Sequence, residues 1–255
     1  MLTKTRITLE ELCAFQFCPR AAWYARTHRH AAIKKSNINS IIALQAFQSY
    51  LKRRSKRFRG NHLKCLIEAY TKAFHAHSAT DNLPSSLVQE MKAKWAIGCS
   101  SILDTLISFQ GLKQMSERIR YTIKRETRQI DLDVQIDAVV TESASISHHS
   151  QNVLLLNDQA NDFDLGLRSG SMSARAVILA AKEQLQLQPG KFQIIGLDIV
   201  SYRILRIPTA PKLYVQWKDV MPRILDLVAE GVNIPMAHKS KCQKCRYKTC
   251  CKFRI

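Results

Sequence analysis

Eight cysteines occur in this 255-residue chain, and four of them, Cys242, Cys245, Cys250 and Cys251, fall within ten positions. Cys242 and Cys245 stand at the C-x-x-C spacing with which one tight turn offers two thiolates to one metal centre. Lys241, Lys244, Arg246, Lys248, Lys252 and Arg254 surround them. Neighbouring cations favour the thiolate, which is the ligand form, and a chain of this length has no need of cystine staples. The segment therefore reads as a metal or iron-sulfur knuckle. Adjacent Cys250 and Cys251 diverge in most backbone conformations, so one of the two joins the C-x-x-C pair and a fourth ligand comes from elsewhere. Cys18 is the first choice, because Pro19 fixes the chain beside its thiol; Cys13 is the second. Cys65 and Cys99 fall in helical patterns and read as core thiols. Four thiolates are zinc chemistry as well as iron-sulfur chemistry, and zinc stands as the alternative.

Charge supplies the second chemical signal. Lys and Arg number 39 against 20 acids, a formal net charge of +19, in a chain that is 46% hydrophobic. That much apolar material makes a core, so the excess charge belongs to the surface of a folded protein. Its natural partner is a polyanion, with DNA first and RNA second, because neutralising phosphates releases counterions. Six of the eight residues after Leu51 are cations, Lys52, Arg53, Arg54, Lys56, Arg57 and Arg59, interleaved with Phe58. They are candidate phosphate contacts; the competing reading is a solvated face. The pairs His28 and His30, His75 and His77, and His148 and His149 lack a consistent partner carboxylate and read as exposed. No glycine-flanked nucleophile marks a hydrolase triad. No apolar run approaches the ~18–20 residues of a membrane span, and Met1 to Arg6 do not lead into an apolar signal region. A reducing, cytoplasmic compartment, where thiolate ligands survive, is the expectation.

The elements that position these residues are legible from period and capping. Thr8-Leu9-Glu10-Glu11 is a capping box that opens a helix ending before Pro19, and a second helix runs from Pro19 through Trp23, Tyr24 and Arg26. Further helices are predicted over about 38–50 and 61–77. Ser86-Leu87-Val88-Gln89 reads as another cap, leading into a stripe of Val88, Met91, Trp95, Cys99, Ile102 and Leu106. After Gly111 the period changes to two. Strands are predicted over 117–129 and 130–140, and the continuous apolar run Val153-Leu154-Leu155-Leu156 predicts a strand buried on both faces. A helix over 173–187 stopped by Pro189-Gly190, one strand over 194–207 and a last helix over 217–230 complete the order. Three regions follow: a helical region over 1–115, an α/β core over 116–215, and a helix with the cysteine knuckle over 216–255.

That order, with Cys18 in a Phe17-Cys18-Pro19-Arg20 context near the start and a cysteine cluster at the far end, resembles the RecB-like PD-(D/E)XK nucleases that carry a four-cysteine iron-sulfur cluster. It is most similar to the CRISPR-associated exonucleases of spacer acquisition, with AddB-type helicase-nuclease domains more distant. The likeness spans nearly the whole chain in architecture, while specific residues match only at its two ends. It implies an α/β (α+β) fold with a restriction-endonuclease-like mixed central sheet. It also implies a 4Fe-4S cluster on one early and three late cysteines spaced C-x2-C-x5-C, which selects Cys18, Cys242, Cys245 and Cys251 here. Such nucleases hold Mg²⁺ or Mn²⁺ with an aspartate on one strand and a glutamate on the next, followed two residues on by a lysine. Asp137 matches the aspartate. The next strand carries Asn157 where the glutamate belongs and Gln159 where the lysine belongs, and Ser173 to Leu179 lack the family's glutamine and tyrosine. Neutral side chains at both positions imply weak ion binding and lost hydrolysis, hence a DNA-binding subunit of a CRISPR-linked or mobile-element complex. An active nuclease using Asp158 or Asp162 as second ligand is the alternative, and a zinc-stabilised RNA- or protein-binding module is the third reading.

Overall fold

The computed structural model of the chain describes residues 3–27, 38–54, 61–77, 84–105, 109–142, 150–157, 171–234, 239–245, 247 and 251–252. Gln159, Lys56, Arg57, Arg59, Cys250, Asp158, Asp162, His28, His30, His148 and His149 lie outside the described residues.

Among the described residues, a mixed six-stranded sheet organises the chain. β1 (Thr3–Thr8) runs without a loop into α1 (Leu9–Phe17), and Thr8 both ends the strand and caps the helix. The Glu11 N–H donates to Thr8 Oγ1 at 3.2 Å while the Thr8 N–H donates to Glu11 Oε2 at 2.7 Å, satisfying two otherwise orphaned donors. Cys18 is extended (φ −164°, ψ 127°), as a residue before proline must be, and separates α1 from α2 (Pro19–Thr27). α3 (Ile38–Arg54), α4 (His62–His75, capped by Asn61) and α5 (Ser85–Thr105) follow. Then come β2 (Phe109–Lys124), β3 (Arg128–Glu142), β4 (Ser150–Asn157), α6 (Met172–Gln184), β5 (Gln193–Asp198), β6 (Arg203–Pro208), α7 (Pro211–Ala229) and α8 (Lys239–Lys244).

The sheet is sandwiched between two helical layers. Leu12 of α1, Val177 and Leu179 of α6, and Met221 and Leu225 of α7 pack with Ile7, Ile130, Leu132, Val153 and Ile194 on one face. Phe47 and Tyr50 of α3, Leu66 of α4, and Trp95 and Cys99 of α5 pack with Ala138, Val140, Leu154 and Ile195 on the other. Cys65 and Cys99 are both buried there. β4 sends Val153 and Leu155 to one core and Leu154 to the other, so its run of apolar residues is what a doubly covered strand requires. Burial on this scale, at roughly 25 cal/mol per Å² of apolar surface, is the main force holding the layers together.

The feature that shapes the site is the sharing of one edge of β3. β2 pairs antiparallel along nearly all of one side, from Lys124↔Gln129 to Phe109↔Glu142. The other side is divided between β1, parallel over residues 128–133, and β4, antiparallel over 138–142. Between the two partners the edge opens over residues 134–137. The side-chain alternation also changes phase there: Ile130, Leu132, Val134 and Ile136 face one core, whereas Ala138 and Val140 face the other.

Several elements differ from the sequence reading. β1 was not anticipated. The segment 194–207 is two strands, not one: Asp198 Oδ1 accepts from the Val200 and Ser201 N–H groups at 3.0 and 2.9 Å, and Tyr202 takes a left-handed conformation (φ 57°), so the chain reverses. α7 begins at Pro211, six residues before Trp217, because proline at N1 opens a helix even without a side-chain cap. Ser86 is inside α5 and not its cap, since the Val88 N–H already bonds the Pro84 carbonyl at 3.1 Å. α6 ends at Gln184 with Leu185 as cap, before the Pro189-Gly190 turn.

Candidate functional site

Two aromatic rings bring the ends of the described chain together. Tyr24 of α2 stacks on Tyr247 with ring centroids 5.6 Å apart and planes 19° from parallel, and both rings are buried. Cys18, Cys245 and Cys251 all pack against this cluster, with Phe17 and Trp23. The Cys251 N–H donates to the Tyr247 carbonyl at 3.0 Å and the Cys245 N–H to that of Cys242 at 3.2 Å, so tight local turns hold the late thiols to the buried tyrosine. Arg26 fixes α2 from its other end, donating from Nη1 to the Val228 and Ala229 carbonyls at 3.1 Å. Those carbonyls are at the C-terminus of α7, where the macrodipole favours a cation.

The thiols feel one another. Burial pushes the Cys245 thiol above its ordinary value, a hydrogen bond involving the Tyr247 backbone opposes this, and the neighbouring Cys18, Cys251 and Cys242 raise it further. Cys245 is thus within electrostatic reach of all three, and Cys242, Cys245 and Cys251 are free thiols. Among the described residues, however, no three His, Cys, Asp or Glu side chains stand at metal-binding spacing. Cys245 is the thiol that relates to each of the other three, and they do not close on a common centre. As a donor set, four cysteine sulfurs suit a soft, thiophilic centre, and zinc or an iron-sulfur cluster has that chemistry. Cys13, the alternative fourth ligand, lies on α1 and is half-buried.

At the opening in the β3 edge stands Asp137, 9% exposed. The Gln48 side chain on α3 donates from Nε2 to its Oδ1 at 2.9 Å, and the Leu156 N–H of β4 donates to its Oδ2 at 2.7 Å. The carboxylate thus takes the place of a ladder partner where β3 and β4 part. Asn157 is the next residue of β4, at its C-terminal end, and pairs with Asp198 at the C-terminal end of β5. Asp137, Asn157 and Asp198 therefore occupy three adjacent strands. Asp198 was missed in the sequence, where the apolar residues flanking it on both sides concealed a strand end. On the α6 side, Ser171 caps its helix through the Ala174 N–H at 3.2 Å, and its hydroxyl bonds that of Ser173 at 2.9 Å. The Arg175 guanidinium lies 3.4 Å from the Trp217 ring centroid, and burial pulls its pKa down.

The candidate phosphate contacts divide. Lys52 is exposed on the last turns of α3, and Arg54 ends that helix. Arg53 is paired with Glu68 of α4 at 3.1 Å, both partly exposed. His75 is exposed, whereas His77 is half-buried, its Nε2 bonded to Gln45 Oε1 at 2.9 Å.

Among the described residues, no helix is long and apolar enough to cross a membrane. No protein-family model matches the chain and no similar curated protein is found. A solved structure described as the crystal structure of SSO0001 superposes on 98% of this chain and 87% of its own, with a TM-score of 0.44 and 10% sequence identity.

Proposed function

We propose that this chain is a DNA-binding protein on a RecB-like nuclease scaffold, stapled by a thiolate metal centre and lacking hydrolytic activity, that serves as a subunit of a DNA-processing complex. One observation carries the reading: both oxygens of Asp137 are engaged in holding β3 to its neighbours, by Gln48 and by the Leu156 N–H, while the adjoining strand ends on neutral Asn157. A carboxylate that replaces a ladder bond is poorly placed to bind an ion, and asparagine as a residue type offers an oxygen without a full charge. With Gln159 at the lysine position, that position supplies no cation to offset the charge that develops on phosphodiester attack. The formal charge of +19 supports binding through phosphates, and the sequence carries no recognition-helix or zinc-finger signature for base readout. The gathering of Cys18 with Cys242, Cys245 and Cys251 supports a resident iron-sulfur cluster, with zinc as the other occupant that suits four thiolates.

The test uses anaerobically purified full-length protein. Fluorescence anisotropy against single- and double-stranded DNA should show binding that weakens steeply with salt and varies little with sequence, and no cleavage should appear in Mn²⁺. Cleavage that disappears in Asp137→Ala would overturn the non-hydrolytic reading. Affinity independent of salt would overturn the phosphate-binding one. Absorbance near ~400 nm, as a cluster with sulfur-to-iron charge transfer gives, distinguishes iron-sulfur from colourless zinc.

A further inference from the structure

We propose that Asp198 is the carboxylate ligand of a hard divalent cation, Mg²⁺ or Mn²⁺, bound at the joint C-terminal ends of β4 and β5. The proposed function neither requires nor excludes this ion, and the centre is separate from the thiols.

Asp198 is fully buried, at 0% exposure. Its Oδ1 accepts two backbone N–H groups, those of Val200 and Ser201, and so builds the β5–β6 turn. Its Oδ2 is buried with no hydrogen-bond partner among the described residues. Nor is a described cation paired with it: the cross-strand neighbour Arg203 donates its Nε to Ser201 Oγ at 3.1 Å. Turn formation accounts for one oxygen and leaves the other unexplained. A buried carboxylate oxygen without a donor is costly, and such an atom in a folded protein calls for an ion or an ordered water.

The surroundings favour an ion. Asn157, directly beside Asp198 in the parallel ladder, is a residue type that offers a neutral oxygen ligand, and Asp137 stands on the strand beyond. Strand ends of an open α/β sheet are where ligands of such folds bind. Hard cations take carboxylate, amide and water oxygens, and Mg²⁺ commonly uses one or two carboxylates and completes its shell with water. Asp137 contributes little, because Gln48 and the Leu156 N–H engage both of its oxygens.

Mn²⁺ added to the isotopically labelled, intact protein is the probe. Paramagnetic broadening should centre on the Val200 and Ser201 amides, which lie against the Asp198 carboxylate, and Mg²⁺ should compete it away. The broadening needs no mutation, so its absence at millimolar Mn²⁺ overturns the proposal whatever a variant does. Asp198→Asn, which keeps an oxygen for the turn, should weaken Mn²⁺ binding by about tenfold or more, whereas Asp137→Asn should change it by less than about threefold. Equal losses in the two variants would also overturn it. DNA binding and cleavage are not read in this experiment, so its failure leaves the proposed function standing, and the reverse holds.

Discussion

Replacing Asp137 with alanine separates a carboxylate that holds strands together from one that holds an ion. Its oxygens accept from Gln48 Nε2 at 2.9 Å and from the Leu156 N–H at 2.7 Å, in a position only 9% exposed. A hydrogen bond to a charged group contributes about 1.5–3 kcal/mol, and truncation leaves a buried backbone donor without a partner. Water entering the vacated space recovers part of this, so about 3 kcal/mol of lost stability is expected for Asp137→Ala. In a chain of this size that lowers Tm by about 6–12 °C. Asp137→Asn retains an oxygen for the Leu156 N–H, and Gln48 can turn its amide, so that variant should lose only about 1 kcal/mol. Urea denaturation followed by tryptophan fluorescence measures both, and an unchanged slope with denaturant shows that stability alone has moved. Catalytic carboxylates are commonly kept at a cost to stability, and removing one tends to stabilise the fold. An Asp137→Ala protein as stable as the unaltered one, or more so, would refute the structural role argued above.

If the thiols hold the proposed metal, removing it should release a cross-link that closes roughly 220 residues of chain between Cys18 and Cys242, worth about 5 kcal/mol in the chain-entropy account. Chelation under anaerobic conditions should then lower Tm by about 10–20 °C, and Cys18→Ser should do the same without further loss on chelation. Acid unfolding should depend on Asp131: burial pushes its carboxyl up, but hydrogen bonds from Gln129, Thr122 and Lys4 outweigh this and hold it below its ordinary value of 3.8. A carboxyl lowered on folding stabilises above its unfolded value and loses that contribution as pH falls through the folded one, so Asp131→Asn should be less stable at pH 7 and show a shallower stability loss below about pH 4 in a denaturation series. Gly98→Ala would put a methyl group 2.5 Å from the Tyr202 ring, whose backbone is held at φ 57°, and should cost about 1–3 kcal/mol by the same urea assay.

The parts of the fold that announced themselves in sequence are those fixed by neighbours. Thr8 and Glu11 carry their capping box within one turn, and the alternation from Ile130 to Val140 needs only period two. β1 did not, because among Thr3 to Thr8 only Ile7 is buried, and the segment becomes a strand through β3, some 125 residues away. The β5–β6 reversal was equally hidden. Ile199, Val200, Ser201 and Tyr202 contain no glycine or proline, and the turn depends on the Asp198 side chain and on a tyrosine in an unusual conformation. At the thiol cluster, spacing singled out Cys242 and Cys245 as a pair. The nearness of Cys18 depends on the Tyr24–Tyr247 stack, a contact between residues far apart in sequence, which no local period records.

The division of one β3 edge between β1 and β4 also sets an order of assembly. β4 reaches β3 through a short connection and β2 through a tight turn, so a β2–β3–β4 meander can form from contacts close in sequence. β1 must wait for residues 128–133 to exist before it has a ladder, and Arg26 must wait a further hundred residues for the α7 carbonyls it binds. Closing such distant contacts is slow. During synthesis residues 3–27 therefore wait longest between their own synthesis and that of their last partners, and a chaperone or protease acting on the nascent chain meets them while Leu12, Tyr24 and the Cys18 thiol are not yet packed.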